Sequence, residues 1–388
     1  MLLLLPLVAM GGCASLQDFF GTAPNKREAE VVVPLEQRPV EDPISANRFV
    51  LESPGQSVVG VPQVVFASSN DTLPDFARAY GLGYDELIAA NPGVDPWLPG
   101  ENTPVLLPTQ FVLPDVPREG IVLNLASKRL FYFPQVAEGQ PAVVMTFPIG
   151  VGRVGWETPL GMTTVTAKAK DPHWYVPLSV RQEHAELGDP LPSVIPPGPE
   201  NPLGHRVLKL DMPGYLIHGT NQPYGVGMRV SHGCVRLYPE NIEYLYELVD
   251  IGETVTIINE PFLMGQLDGE TYFESHTPLE DDTVAADERL QLLLEKWNGE
   301  TEFGLSEREL QHAHSIAAVA KGVPSRLGAA DEFDVMTRAR VVRNTVEVDP
   351  EAPTLAEVRE MIDQAVSEGD EELRESTGSV EVGQESLR

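Results

Sequence analysis

Apolar and polar positions change rhythm several times along this chain, and each change predicts a different kind of element. From Val61 to Pro108, a short apolar stretch at Val64 to Phe66 is followed by Leu73, Phe76, Ala77 and Tyr80 at helical spacing. A strand should therefore lead into an amphipathic helix, which Asp71 and Thr72 are placed to cap. Gly81 and Gly83 stop that helix, a second short one runs through Leu87 and Ile88 to "NPG" at residues 91–93, and "PVLLP" closes the unit as a strand. From about Glu119 the pattern turns β-rich. "IVLNLASKRLFYFP" reads as two strands around "ASK", "AVVMTFPIG" as another, and "GETVTII" at residues 252–258 as the last. A single helix, "PENIEYLYELVD", interrupts this region, with Pro239 suited to its first turn.

Beyond Pro261 the helical period returns. Leu290, Leu293, Leu294 and Trp297 form one stripe and Leu355, Val358, Ile362 and Val366 another, with capping boxes at Ser306 with Glu309 and Thr354 with Glu357. Residues 14–57 hold no sustained period and are expected to be a tether, and the closing "STGSVEVGQESLR" to be disordered. The predicted architecture is a mainly β domain over residues 117–260, a small α+β module over 58–110, and a helical, partly disordered extension over 261–388.

Composition narrows the function. The 388 residues suit two or three domains, and 33 Gly with 35 Pro favour turns and short strands. A formal charge of −31 argues against recognition of nucleic acid or of an anionic membrane surface, since both require a basic footprint. The charge is uneven: residues 261–388 hold 11 Lys and Arg against 29 Asp and Glu, so the middle of the chain is far closer to neutral.

The N-terminal "MLLLLPLVAMGGCASL" has an apolar run from Leu2 to Met10, shorter than the roughly 20 residues of a membrane span. It reads as the core of an export signal over residues 1–13. "MGGC" resembles a bacterial lipoprotein box, although Met10 stands where Leu is usual; Cys13 would then carry a lipid and be the membrane's one point of contact. A plain secretory signal is the alternative. The first basic residue is Lys26, so the reading places the true start upstream. The expected location is the periplasm, with the outer membrane as a lipoprotein's destination.

With Cys13 consumed by processing, Cys234 in "SHGCVRL" is left without a partner, a liability in an oxidising compartment that structure alone does not require. A thiol becomes a strong nucleophile beside a base, and two histidines are near: His218 in "LIHGTN", sixteen residues upstream, and His232. If "YLIH" is a strand, the glycine-rich loop after it permits a hairpin-like return that lays Cys234 beside His218. His232 and Cys234 share a face in extended chain, but Gly233 permits a turn that breaks this relation. The residues alone leave the choice of base open. Amides around Gly233 and Cys234 are placed to face an oxyanion, and Arg236 to hold a carboxylate or to form a structural ion pair. His218, His232 and Cys234 also make up a zinc ligand set, unsupported by any paired CxxC or HExxH. A buried filler cysteine fits poorly among two histidines, glycines, Ser231 and Arg236.

Two resemblances sharpen this reading. "DTL" at 71–73, "YG" at 80–81, "AANPG" at 89–93 and "LPG" at 98–100 resemble a LysM module, which implies peptidoglycan as the ligand, although the usual glycine before Asp71 is missing. "IHGTNQPYGVGMRVSHGCVRL", with "FPIGVGRVGWETPLG", "DPHWYVP" and "VIPPGPENPLG", resembles the YkuD-type L,D-transpeptidases of the Gram-negative periplasmic subgroup over residues 117–260.

That resemblance implies a YkuD-like β-sandwich or barrel, Cys234 as nucleophile, His218 as its base, and the Gly219 carbonyl orienting the imidazole. Ser231, His232, Gly233 and Arg236 become oxyanion-hole or substrate-contacting groups. It implies no cofactor or metal. The implied reaction takes a peptidoglycan tetrapeptide stem, expels D-alanine, and passes the acyl group to an amine of a second stem or of a wall-anchored lipoprotein. The rival readings are a wall-binding protein without transpeptidation and a zinc-dependent hydrolase. Trp174 and Tyr175 are read as core aromatics or as lining of a substrate groove, and the role of the acidic extension stays open.

Overall fold

The computed structural model describes residues 33–137, 139–301, 304–328 and 334–346. The chain divides into two units, Met1–Arg38 and Pro39–Arg388. The described part of the first holds one 3-10 turn, Leu35–Gln37. The lipoprotein-like box with Cys13, the Thr354–Glu357 capping box and the last apolar stripe lie outside the described residues.

Nine strands form the main sheet, in the spatial order Arg48–Val50, Val143–Pro148, Arg129–Phe133, Gly120–Asn124, Thr254–Ile258, Gly161–Lys170, Arg206–Leu210, Leu216–His218 and Val235–Arg236. Two neighbouring pairs are parallel: Thr254–Ile258 with Gly120–Asn124, and Leu216–His218 with Val235–Arg236. Helix Pro239–Leu248 starts with the expected proline and buries Ile242, Leu245 and Tyr246. These join Ile121, Leu123, Leu130, Tyr132 and Phe147 from one part of the sheet and Leu208, Ile217 and Val235 from its far end in one cluster. Both ends of the sheet thus serve one core, so the sheet curls round it in the barrel-like form expected.

The opposite face of the same strands is also covered. Val122, Phe131, Phe133 and Val144 alternate with the residues just named and meet Val65, Leu73, Phe76, Leu87, Leu107 and Phe111 of the small module. Burial on both faces explains why "IVLNL" and "RLFYF" are almost unbroken apolar runs. Each such side chain taken fully from water stabilises the docked arrangement by about 1.5–3 kcal/mol.

The module follows the expected order: strand Gln63–Phe66, helices Leu73–Ala79 and Tyr84–Ala90, strand Pro104–Leu107. Thr72 caps the first helix in a reciprocal box with Asp75.

Two expectations are corrected by the strands. The tether does not extend to residue 57: Arg48–Val50 pairs with Val143–Met145, and Ala46 and Leu51 are buried beside it. Three residues are too few to reveal a period. The extension contains more than helices. Phe262–Leu267 and Glu270–Ser275 form a hairpin, joined by Ser325–Arg326, on which helices Ala286–Glu300 and Glu307–Val319 pack through Leu290, Leu294 and Ala313. The second of these helices carries the expected Ser306–Glu309 box. Further on, Arg340–Val341 adds a parallel strand to Gln63–Val64, so the extension completes the module's sheet.

Candidate active site

The site is set by the register of two parallel strands. Ile217 pairs with Val235 and His218 with Arg236. Ile217 and Val235 both enter the core, so alternation turns His218 and Arg236 to the other face, with Cys234, two residues before Arg236, beside them. The connection is not the hairpin anticipated. After His218 the chain makes a 3-10 turn at Pro223–Gly225, then a short strand, Arg229–Ser231, pairs in parallel with Val151–Gly152 before the cysteine loop begins. At Gly227, with φ +87°, a β-carbon would lie 2.3 Å from the Tyr84 nitrogen. The loop therefore seats backbone to backbone on the module, and the Tyr84 amide donates to the Val226 carbonyl at 3.2 Å.

His218 is 3% exposed. Its Nδ1 lies 2.6 Å from the Gly219 carbonyl, which can only accept, so Nδ1 carries the proton and Nε2 keeps its lone pair. Burial, followed by the nearby Arg236 charge, pulls its pKa down to about 3 against the opposing Gly219 and Leu203 carbonyls. Burial pushes the Cys234 thiol up, partly countered by the Leu216 backbone and by Arg236. The resting pair is thus a neutral thiol and a neutral imidazole, with one guanidinium acting on both.

The cysteine loop is fixed by its own polar atoms. Ser231 Oγ accepts from the Gly233 amide at 3.2 Å and donates to the Cys234 carbonyl at 2.5 Å. Thr158 Oγ1 donates to the Gly233 carbonyl at 2.9 Å. Gly233 has φ +96°, and a β-carbon there would meet Tyr215 Cε1 at 2.9 Å, so no other residue fits the turn. Ser231 occupies the Gly233 amide, whereas the Cys234 amide has no protein acceptor among the described residues.

The same turn carries His232 away from the strand face. Its Nε2 lies 2.6 Å from Glu183 Oε2, on helix Leu178–Glu186, and its ring meets Trp156 edge-on with centroids 4.8 Å apart. Arg153 pairs with the same carboxylate. Among the described residues no three His, Cys, Asp or Glu side chains converge as metal ligands. Arg236 has no carboxylate partner among them and its Nε is buried without a hydrogen bond, whereas Arg229 is held by Asp281 through two bonds of 3.0 and 2.8 Å.

Tyr175, read as core or groove, is 74% exposed. It lies on a two-residue strand paired with Val194–Ile195. Arg153, Thr158, Glu183, Leu203 and Asp281 were not foreseen. Arg153 and Thr158 share the loop after Val151–Gly152, Glu183 sits on a helix, Leu203 on another loop and Asp281 in the extension, with no local pattern to single them out.

The model of YkuD, the L,D-transpeptidase catalytic domain, matches residues 118–257. The chain is 41% identical over 239 residues to the probable L,D-transpeptidase YbiS of Escherichia coli, covering 61% of this chain and 76% of that protein. It is 39% identical over 238 residues to the probable L,D-transpeptidase ErfK/SrfK of Salmonella typhimurium, covering 60% and 75%. Among solved structures, an L,D-transpeptidase from Mycobacterium smegmatis aligns at 19% identity over 36% of this chain and 58% of that one, with a TM-score of 0.26.

Proposed function

Because the chain belongs to the L,D-transpeptidase family, we propose that it works through an acyl-enzyme on Cys234, formed from a peptidoglycan tetrapeptide stem with release of D-alanine. The observation that carries this reading is His218, buried, with its Nδ1–H committed to Gly219 so that Nε2 holds the lone pair, on the strand that pairs in parallel with Val235–Arg236 directly after Cys234. The thiol is held protonated, so its proton passes to His218 Nε2 as sulfur attacks the carbonyl of the third stem residue. A C–S bond forms, and the oxyanion faces the Cys234 amide. Collapse breaks the bond to D-alanine, whose amine takes the proton from the imidazolium. An acceptor amine then attacks the thioester, the C–S bond breaks, and the thiol regains a proton.

Arg236, unpaired by any carboxylate among the described residues, is proposed to hold a stem carboxylate, with meso-diaminopimelate as the expected third residue. The small module is proposed to hold the glycan strand, since its Trp97 is 52% exposed beside Tyr84. The periplasm is the proposed location. The acceptor is proposed to be the amine of a second stem or of a wall-anchored lipoprotein. Mass spectrometry of the purified protein with a carbapenem or a tetrapeptide muropeptide tests the reading. A mass increment confined to Cys234 is expected; an increment that survives Cys234→Ala sinks it.

A further inference from the structure

Cys234 is flanked by two histidines, and the acylation step uses one. We infer that the second, His232, held by Glu183, takes the proton from the acceptor amine; this rests on the acyl-enzyme reading above. Three observations lead there. The Glu183 carboxylate accepts from His232 Nε2–H at 2.6 Å, which places the imidazole lone pair on Nδ1, an atom with no protein partner among the described residues. Arg153 Nη2 pairs with the same carboxylate and lies 3.1 Å from His232 Nε2, and its backbone amide donates to the Ser231 carbonyl at 3.1 Å, so the group is anchored to the strand that leads into Cys234. Finally, the side chain of His232 is 23% exposed and that of Glu183 27%, whereas His218 is sealed at 3%.

The chemistry calls for such a group. An acceptor amine reaches the site as an ammonium, since an alkyl amine has a pKa of roughly 10, and it attacks the thioester only after losing a proton. His218 lies buried beside the sulfur that carries the acyl group. His232 stands at the solvent side, next to a carboxylate that attracts the ammonium and stabilises the imidazolium once formed. Burial keeps His232 below its ordinary value, so its lone pair is available at neutral pH. The step balances: the ammonium gives one proton to His232 Nδ1, its nitrogen forms the C–N bond, the C–S bond breaks, the thiolate is reprotonated by the nitrogen's second proton through His218, and the partly exposed His232 releases its proton to solvent. His232 is the catalytic residue of this step and Glu183 its positioning residue.

The test separates the two half-reactions in the full chain. With a tetrapeptide muropeptide as donor and acceptor, the single-turnover burst of D-alanine release reports acylation, and the ratio of cross-linked dimer to tripeptide reports capture by amine against water. Glu183→Gln is expected to lower that ratio by roughly 100-fold, the scale of general-base catalysis, with D-alanine release changed by less than about threefold. Hydroxylamine, unprotonated at neutral pH, should capture the acyl group from variant and wild type alike. Glu183→Asp, which keeps the charge but withdraws it, should lower the ratio by a smaller factor and serves where the glutamine variant does not fold. A ratio unchanged in both variants overturns the inference, as does a joint fall of acylation and capture that hydroxylamine does not relieve. Absence of any Cys234 adduct in the wild type overturns the acyl-enzyme reading itself.

Discussion

The guanidinium of Arg129, on the main sheet, meets the carboxylate of Glu86, on the small module's second helix, at 2.6 Å, with side chains 2% and 6% exposed. Arg129 also donates to the Gly81 carbonyl and Thr146 Oγ1 and lies 4.1 Å over the Phe111 ring, while Glu86 accepts from the Gly83 amide. A charge pair this deep is tolerated because each guanidinium nitrogen and both carboxylate oxygens find partners. Removing one side strands the other, so Arg129→Met is expected to cost about 3–5 kcal/mol, read from the urea midpoint. Arg129→Met with Glu86→Leu should recover much of that loss. Module and catalytic domain should unfold in one transition, since the pair sits at their junction.

Cys234→Ala should abolish covalent capture of a carbapenem without lowering thermal stability. His218→Gln should slow that capture by roughly 100-fold to 10,000-fold, the range expected when a positioned base is lost. Equal rates for His218→Gln and wild type, measured by stopped-flow absorbance, would remove His218 from the mechanism.

The pH response follows from burial. Acylation should climb with pH through a value above that of an ordinary cysteine, because burial raises the thiol. It should show no inflection near 6.5 from His218, which is neutral down to about 3. Stability carries the matching signature. Between pH 6.5 and about 3 the unfolded chain binds a proton at this histidine that the folded one refuses, so acidification over that window favours unfolding. Above pH 6.5 this penalty is absent. Chemical denaturation across the window should give a shallower slope for His218→Gln than for wild type.

Asp281 belongs to the acidic extension, yet its bidentate bond to Arg229 reaches the strand that leads into the nucleophile loop. Its carboxyl is held below the usual range chiefly by that arginine. Asp281→Asn should therefore lower stability by about 1–3 kcal/mol at neutral pH, and by less below the ordinary carboxylate range, where the wild-type group is protonated on unfolding. A truncation after residue 265 should lose activity as well as stability, which sedimentation and carbapenem capture will separate.

With Arg229 neutralised, Arg236 meets anionic stems within a chain of net charge −31. Salt screens the long-range repulsion over about 10 Å at 0.1 M while leaving a close contact intact. The value of kcat/KM should rise as ionic strength increases from low to physiological; a flat profile would mean that the field does not reach the substrate.

How far the residues announce all this depends on how local each feature is. His218 ends one strand and Cys234, sixteen residues on, immediately precedes its parallel neighbour, with glycines where the chain must turn, so their partnership is legible, although the choice between two histidines needs the family resemblance. The two-sided burial of "IVLNL" and "RLFYF" is visible as apolar runs, but their second partner, the helices of the module, lies too far away in sequence to be inferred. Asp268 and Gly269, at φ +52° and +77°, form the hairpin turn in the extension. Asp-Gly between two apolar runs is a strong signal for such a turn, set in a region whose dominant feature is its charge. Glu183 and Asp281 act only through long-range bonds, to His232 and Arg153 and to Arg229, and leave no local trace.

The added strand Arg340–Val341 has a consequence for the order in which the molecule is built. It is held on one side by Gln63–Val64 and on the other by Glu41, whose amide donates to the Val341 carbonyl at 2.9 Å. Beyond it, the Arg343 carbonyl and Thr345 amide close on the Tyr80 hydroxyl. Nearly the whole described chain must therefore be synthesised before this early sheet is finished, and its closure carries the slow, entropically costly search of a very long loop. Until then Gln63–Phe66 presents a bare strand edge, an invitation to pair with the wrong chain. The last described segment thus covers an edge that the first part of the chain leaves open.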